Sequence, residues 1–206
     1  MIHTFIKGFL SPRSSPRNTI GTKILHAVQS YHNLNAIHIS PTTYPTGIFT
    51  DVLNILRTKS SIRHLTVNSA CTDDDGSSAL VTINGLQHLT LVDPTRAVLN
   101  KLPEWLSRLS WSLTELHLKV CQSPGGTKKL TECNVSQDNC GSITPAVLRS
   151  FTPHLRRGIR SITLGLSYSL THDDVFSFLG ELPKLTSVQL QYYLVCSTHR
   201  SIGPPF

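Results

Sequence analysis

One pattern of apolar and polar positions, apolar-x-x-apolar-x-apolar, returns six times along this chain. Its apolar members are Leu34, Ile37 and Ile39; Ile62, Leu65 and Val67; Leu86, Leu89 and Leu91; Leu113, Leu116 and Leu118; Ile159, Ile162 and Leu164; and Leu185, Val188 and Leu190. The last three residues of each segment alternate with period two, as a short strand requires, so the fourth and sixth positions point inward and the third and fifth outward. Successive segments start 28, 24, 27, 46 and 26 residues apart. Four of these intervals fit a repeat of about 20–29 residues, and the long one reads as one period plus a surface insertion at about residues 122–141.

Between the strands the apolar period changes to that of a helix. Ile20, Ile24, Leu25 and Val28 form one stripe; Ile48, Val52, Leu53, Ile55 and Leu56 another; Val98, Leu99, Leu102, Trp105, Leu106 and Leu109 a third. Val147, Leu148, Phe151 and Leu155 follow the insertion, and Val175, Phe176, Phe178, Leu179 and Leu182 precede the last strand. Asp93-Pro94-Thr95 and Thr144-Pro145 mark helix starts, and Thr171 with Asp174 three residues on suits a capping box. Residues 73–85 leave room for only a single turn or a 3₁₀ segment.

Three buried aliphatics per strand contribute about 5–9 kcal/mol. Ordering the ~25 residues of one unit costs at least that in backbone entropy. The units must therefore stack, which predicts an α/β solenoid of about six strand-turn-helix units, with parallel strands on the concave side and helices on the convex side.

The pattern resembles leucine-rich repeats of the ribonuclease-inhibitor-like class. Leu113, Leu116, Leu118 and Cys121 follow the nine-residue consensus to its final Cys, and Cys140 to Leu148 is similar to the turn-to-helix half of the cysteine-containing subtype. The stretches Ile159–Leu179 and Leu185–Leu194 resemble the repeat regions of fungal F-box proteins. The other strands carry Thr42, Ala70, Pro94, Ser167 and Tyr193 at the consensus Asn or Cys position, and the F-box itself is not in this sequence. Leu102-Pro103-Glu104-Trp105-Leu106 mimics the opening of an F-box, but its place on a helical stripe makes it core. The resemblance implies a protein-binding module, the substrate-recognition region of a ubiquitin-ligase receptor. A ligase adaptor would be a partner only if an F-box stands in a longer parent chain; the alternative is a non-ligase repeat scaffold or truncated paralogue.

Composition narrows the chemistry. The chain has 206 residues and a net charge of +7, but residues 1–72 hold seven Lys and Arg against the single acid Asp51, so the basicity is local. Five cysteines at 71, 121, 133, 140 and 196 make no Cys-x-x-Cys pair, which points to reduced thiols in the cytoplasm or nucleus and away from a zinc site. Asn134-Val135-Ser136 is a formal sequon with meaning only after export. No apolar run approaches a membrane span. The segment 1–19 is acid-free and suits a capping or partly disordered end; an organelle transit peptide, with Ile2, Phe5, Ile6 and Phe9 on one helical face, is the minor reading.

Catalytic patterns are poor. Gly165-Leu166-Ser167-Tyr168-Ser169 lacks the second Gly of a nucleophile elbow, and Ser123–Lys129 lacks phosphate-loop spacing. Neither an enzyme nor a cofactor is expected. The candidate site is the concave face, where a protein partner would meet His38, Arg63, His64, His88, His117, Lys119, Arg160 and Gln189. His64 and His88 fall on adjacent strands and should touch, whereas His38 and His117 lie three strands, roughly 14 Å, apart and cannot share a metal. Non-core strand positions hold no aromatic residue, which disfavours nucleic acid. The repeats are expected over 20–193, with a tail at 194–206. The apolar run Leu190, Tyr192, Tyr193, Leu194 and Val195 at the last strand suggests a truncated parent or self-association at that edge.

Overall fold

A computed structural model of the chain describes residues 3–6, 17–40, 46–72, 74–119, 143–166 and 170–192. Strand β1 (His3–Ile6) is followed by α1 (Arg17–Ser30), β2 (Ala36–Ile39) and α2 (Thr46–Leu56). After β3 (His64–Asn68) come a 3₁₀ turn (Ser69–Cys71), α3 (Asp74–Leu80), β4 (His88–Val92), α4 (Arg96–Leu109) and β5 (Glu115–Lys119). The last elements are α5 (Pro145–Leu155), β6 (Ser161–Leu166), α6 (His172–Gly180) and β7 (Ser187–Tyr192). The strands form one sheet in sequence order, every neighbouring pair parallel. Parallel crossovers share one hand, so each carries its helix to the same side, where successive helices pack on one another. This is an open α/β solenoid.

The repeat spacing reappears as register. Ile37, Leu65, Leu89, Leu116, Ile162 and Val188 form one inward row, and Ile39, Val67, Leu91, Leu118, Leu164 and Leu190 the next. From β2 to β6 both rows are buried, and helix residues such as Leu53, Leu102, Trp105 and Phe151 close the core over them. Because β5 pairs directly with β6, the long interval is one unit carrying extra chain. The extra segment, about 122–141, lies outside the described residues, as do the 194–206 tail, Cys121, Cys133, Cys140, Cys196, the sequon and the Ser123–Lys129 run.

A second row of contacts, made by the backbone at the second motif position, ties each unit to the next. The carbonyls of Asn35, Arg63, Gln87, Thr114 and Arg160 each accept two N–H groups, from the second and third motif positions of the next unit. Thr114 Oγ1 and Thr186 Oγ1 add side-chain donors to the same carbonyls, of Gln87 at 3.1 Å and Arg160 at 3.0 Å. These five carbonyls form a ladder at the strand entrances and are each paired there.

Helix starts follow the sequence signals. Thr95, Thr144 and Thr171 are N-caps, Pro145 opens α5, and Thr171 and Asp174 complete a reciprocal capping box. Trp105, from the F-box-like run, is fully buried in α4 and donates its indole N–H to Ile83 O at 2.7 Å. Cys71 is buried, and burial pushes its thiol up to about 11, which makes it inert.

Four details differ from the sequence expectation. The N-terminal segment supplies a seventh strand, β1, so Phe5 and Ile6 belong to a strand and not to a helical face. Residues 74–80 form a two-turn α-helix where only a single turn or 3₁₀ segment was expected; burial of the small Gly76 and Ser77 lets α3 sit close to its neighbours without a wide apolar stripe. Phe176 leaves the stripe of α6 and is 61% exposed. Val188, in a row whose members Leu116 and Ile162 are fully buried, is 44% exposed. Among the described residues no helix is long and apolar enough to cross a membrane.

Candidate functional site

Alternation along the strands puts two outward rows on the concave face. Ala36, His64, His88, Glu115, Ser161 and Ser187 share the third position; His38, Thr66, Thr90, His117, Thr163 and Gln189 share the fifth. Neighbours in a row are one strand spacing apart, about 4.8 Å, close enough for side chains to join across strands.

They do join. The rings of His64 and His88 stack with centroids 4.1 Å apart and planes 19° from parallel. His88 Nδ1 lies 2.8 Å from Glu115 Oε2. An ionised carboxylate only accepts, so Nδ1 of His88 carries the proton and donates. Glu115 Oε2 also lies 3.5 Å from His117 Nε2, whose Nδ1 is 2.6 Å from Thr163 Oγ1. Thr163 Oγ1 donates in turn to Gln189 Oε1 at 3.4 Å. One polar chain therefore runs from β3 to β7, about 19 Å across the sheet.

Proton counting couples its members. Thr163 has one hydroxyl proton; if Gln189 receives it, His117 must donate from Nδ1. Nε2 then faces the Glu115 carboxylate, and both contacts are satisfied together only when the imidazole is protonated at both nitrogens. A neutral His117 gives up one of them. Burial opposes the charge of Glu115, but hydrogen bonds and charge from His88, then His117, outweigh it and hold the carboxyl below its ordinary value. Thr163 occupies an outward position yet is only 2% exposed, in contact with His117 and Gln189.

The eight residues predicted for this face are divided by the fold. His64, His88, His117 and Gln189 meet in the polar chain. His38 lies in the same row as His117 but three strands away, on β2. Lys119 ends β5 and is half-buried. Arg63 precedes β3 and turns Nη1 of its guanidinium to the carbonyls of Ser60 at 2.6 Å, Ile62 at 3.1 Å and Gly85 at 3.4 Å, so that nitrogen is engaged in the turns. Arg160 is exposed just before β6. Two members absent from the predicted set, Glu115 and Thr163, link the rest. Glu115 had a readable signal, as the only carboxylate at the third or fifth position of the six motifs.

Among the described residues no three His, Cys, Asp or Glu side chains converge as a metal would need. A groove of about 240 Å³ opens on the helical side between α5 and α6, lined by Arg149, Asp173, Asp174 and Glu181 among others. Asp174 there serves the helix start: hydrogen bonds from the side chain and then the backbone of Thr171 hold its carboxyl low. The concave chain, about one-third exposed at His88 and Glu115, is the better candidate for recognition. In comparisons with known proteins, neither a family model nor a curated sequence matches this chain.

Proposed function

We propose that the chain is a protein-recognition module that holds a protein partner against its concave face. The observation that carries this reading is the polar chain from His64 to Gln189. It is pre-ordered by its own hydrogen bonds and ring stacking, so the side chains lose little freedom on binding, and it lies on the concave sheet face, open to another protein's surface. His88 and Glu115 stand at its centre, about one-third exposed. Resemblance to F-box repeat regions supports a finer reading, in which the partner is a protein destined for ubiquitination and the receptor joins a ligase through an F-box supplied by a longer parent or in trans.

Affinity purification from cells expressing the tagged chain tests both levels. A discrete partner should be recovered with the parent chain and reduced at least about tenfold with a folded His88→Ala/His117→Ala variant. Recovery of a ligase adaptor with it supports the finer reading; a partner without adaptor supports a non-ligase scaffold. Equal recovery by the double variant would overturn the concave-face assignment.

A further inference from the structure

A second surface, separate from the concave face, lies on the edge where helices end and strands begin. Cations at helix C-termini are ordinarily explained by the helix dipole and by free carbonyls. Three on this edge fit that explanation. Lys59 Nζ donates to Gln29 O at 3.1 Å and Tyr31 O at 2.9 Å; Arg63 reaches three turn carbonyls; Arg108 donates to Val81 O and lies 3.7 Å from Glu104.

The cations of the last units behave differently. Arg156, Arg157, Arg160 and Lys184 are all exposed. Among the described residues no carbonyl or carboxylate accepts from their side chains. Arg157 instead covers one face of Trp111, its guanidinium carbon 4.7 Å from the ring centroid. Trp111 is 82% exposed, in the turn between α4 and β5. These turns are held together: a Cβ on Gly158 would stand 2.8 Å from Leu113 O and 3.2 Å from Ser110 O, so only glycine allows this approach. The Arg160 carbonyl accepts from Thr186 and Ser187, which fixes the next turn beside it. The result is an aromatic ring stacked under one cation, with three more exposed cations in its own or the neighbouring turns and Glu181 the one carboxylate in the same three turns.

We infer that this edge is a docking surface for an acidic peptide segment. Charge complementarity selects a polyanion, and Trp and Arg are among the side chains enriched at binding hot spots. Single-stranded nucleic acid calls for successive stacking platforms. Among the described residues the other exposed aromatic of this edge, Tyr31, lies in the turn before β2, three strands and roughly 14 Å from that of Trp111.

Fluorescein-labelled oligoglutamate, titrated into the full chain at low salt and followed by anisotropy, tests the inference. Binding should weaken at least about tenfold in Arg157→Glu/Arg160→Glu and about tenfold in Trp111→Ala, and fall with added salt. Lys23→Glu, the same change of sign at a distant exposed helix position, should leave it unchanged. Because these side chains are exposed, the variants fold. No binding to the parent chain, or equal binding by the double variant, would overturn the inference. So would tighter, Trp111-dependent binding of a homopolymeric single-stranded oligonucleotide. The concave-face reading is untouched by any of these results, since its variants are elsewhere.

Discussion

Glu115 shows how one residue on a repeat surface acquires a role that its neighbours lack. It accepts from two histidines on adjoining strands, and those contacts outweigh the cost of partial burial. Its folded pKa is lowered, so its contribution to stability is fully present above the unfolded carboxylate value and is lost as pH falls through the folded one. Glu115→Gln should therefore cost about 0.2–1 kcal/mol at neutral pH, the range for exposed pairs, and should lose less stability on acidification than the parent. Denaturant melts at neutral pH and near pH 4 check this; parallel acid limbs would contradict it. Glycines make an opposed pair of tests. Gly158→Ala drives a Cβ against two backbone carbonyls and should destabilise by about 1–3 kcal/mol. A Cβ at Gly180 meets nothing within 4 Å, and Gly180→Ala should stabilise by about 0.4–1 kcal/mol. If both shift the melting midpoint in the same direction, the turn packing is misread.

At the scale of elements, the strands were legible because a period of two leaves one register that buries every motif aliphatic, and β2 to β6 adopt it. The helix caps were legible because Thr followed by a reachable N–H is local chemistry. Thr171→Ala removes the hydroxyl that accepts from Asp174 N at 3.2 Å, and should cost about 1 kcal/mol; an unchanged midpoint would show that the box carries no stability. Other elements were hidden for physical reasons. In β1 the register pairs Thr4 with Ile37, so the sequence has no aliphatic at that motif position to flag a strand. In α3 burial is achieved by small residues, which no apolar stripe announces. Phe176 fell on the stripe of α6 in the sequence yet stands in solvent, because Val175, Phe178 and Leu179 form the side of that helix packed on the core.

The whole molecule joins chemistry that the sequence scatters. His64 and Gln189 are linked through four intervening side chains from three strands, and the spacing of the repeats made only the first contact, His64 with His88, foreseeable. The basic edge was less legible still, since Trp111 and Arg157 belong to two different turns and meet only through stacking, with Lys184 in a third. Net charge pointed elsewhere, to residues 1–72. The solenoid thus presents two faces of distinct character: a concave sheet with an ordered polar chain, and an edge with exposed cations. Placement of the protein partner on the former is the central claim. A photo-reactive benzoyl-phenylalanine tests it when substituted singly for Thr90, between His38 and His117 in the outward row, or for Asn100, exposed on α4. Irradiation in lysate should give a discrete adduct from the Thr90 position and none from Asn100. Adducts of the same mass from both positions, or from Asn100 alone, would contradict it.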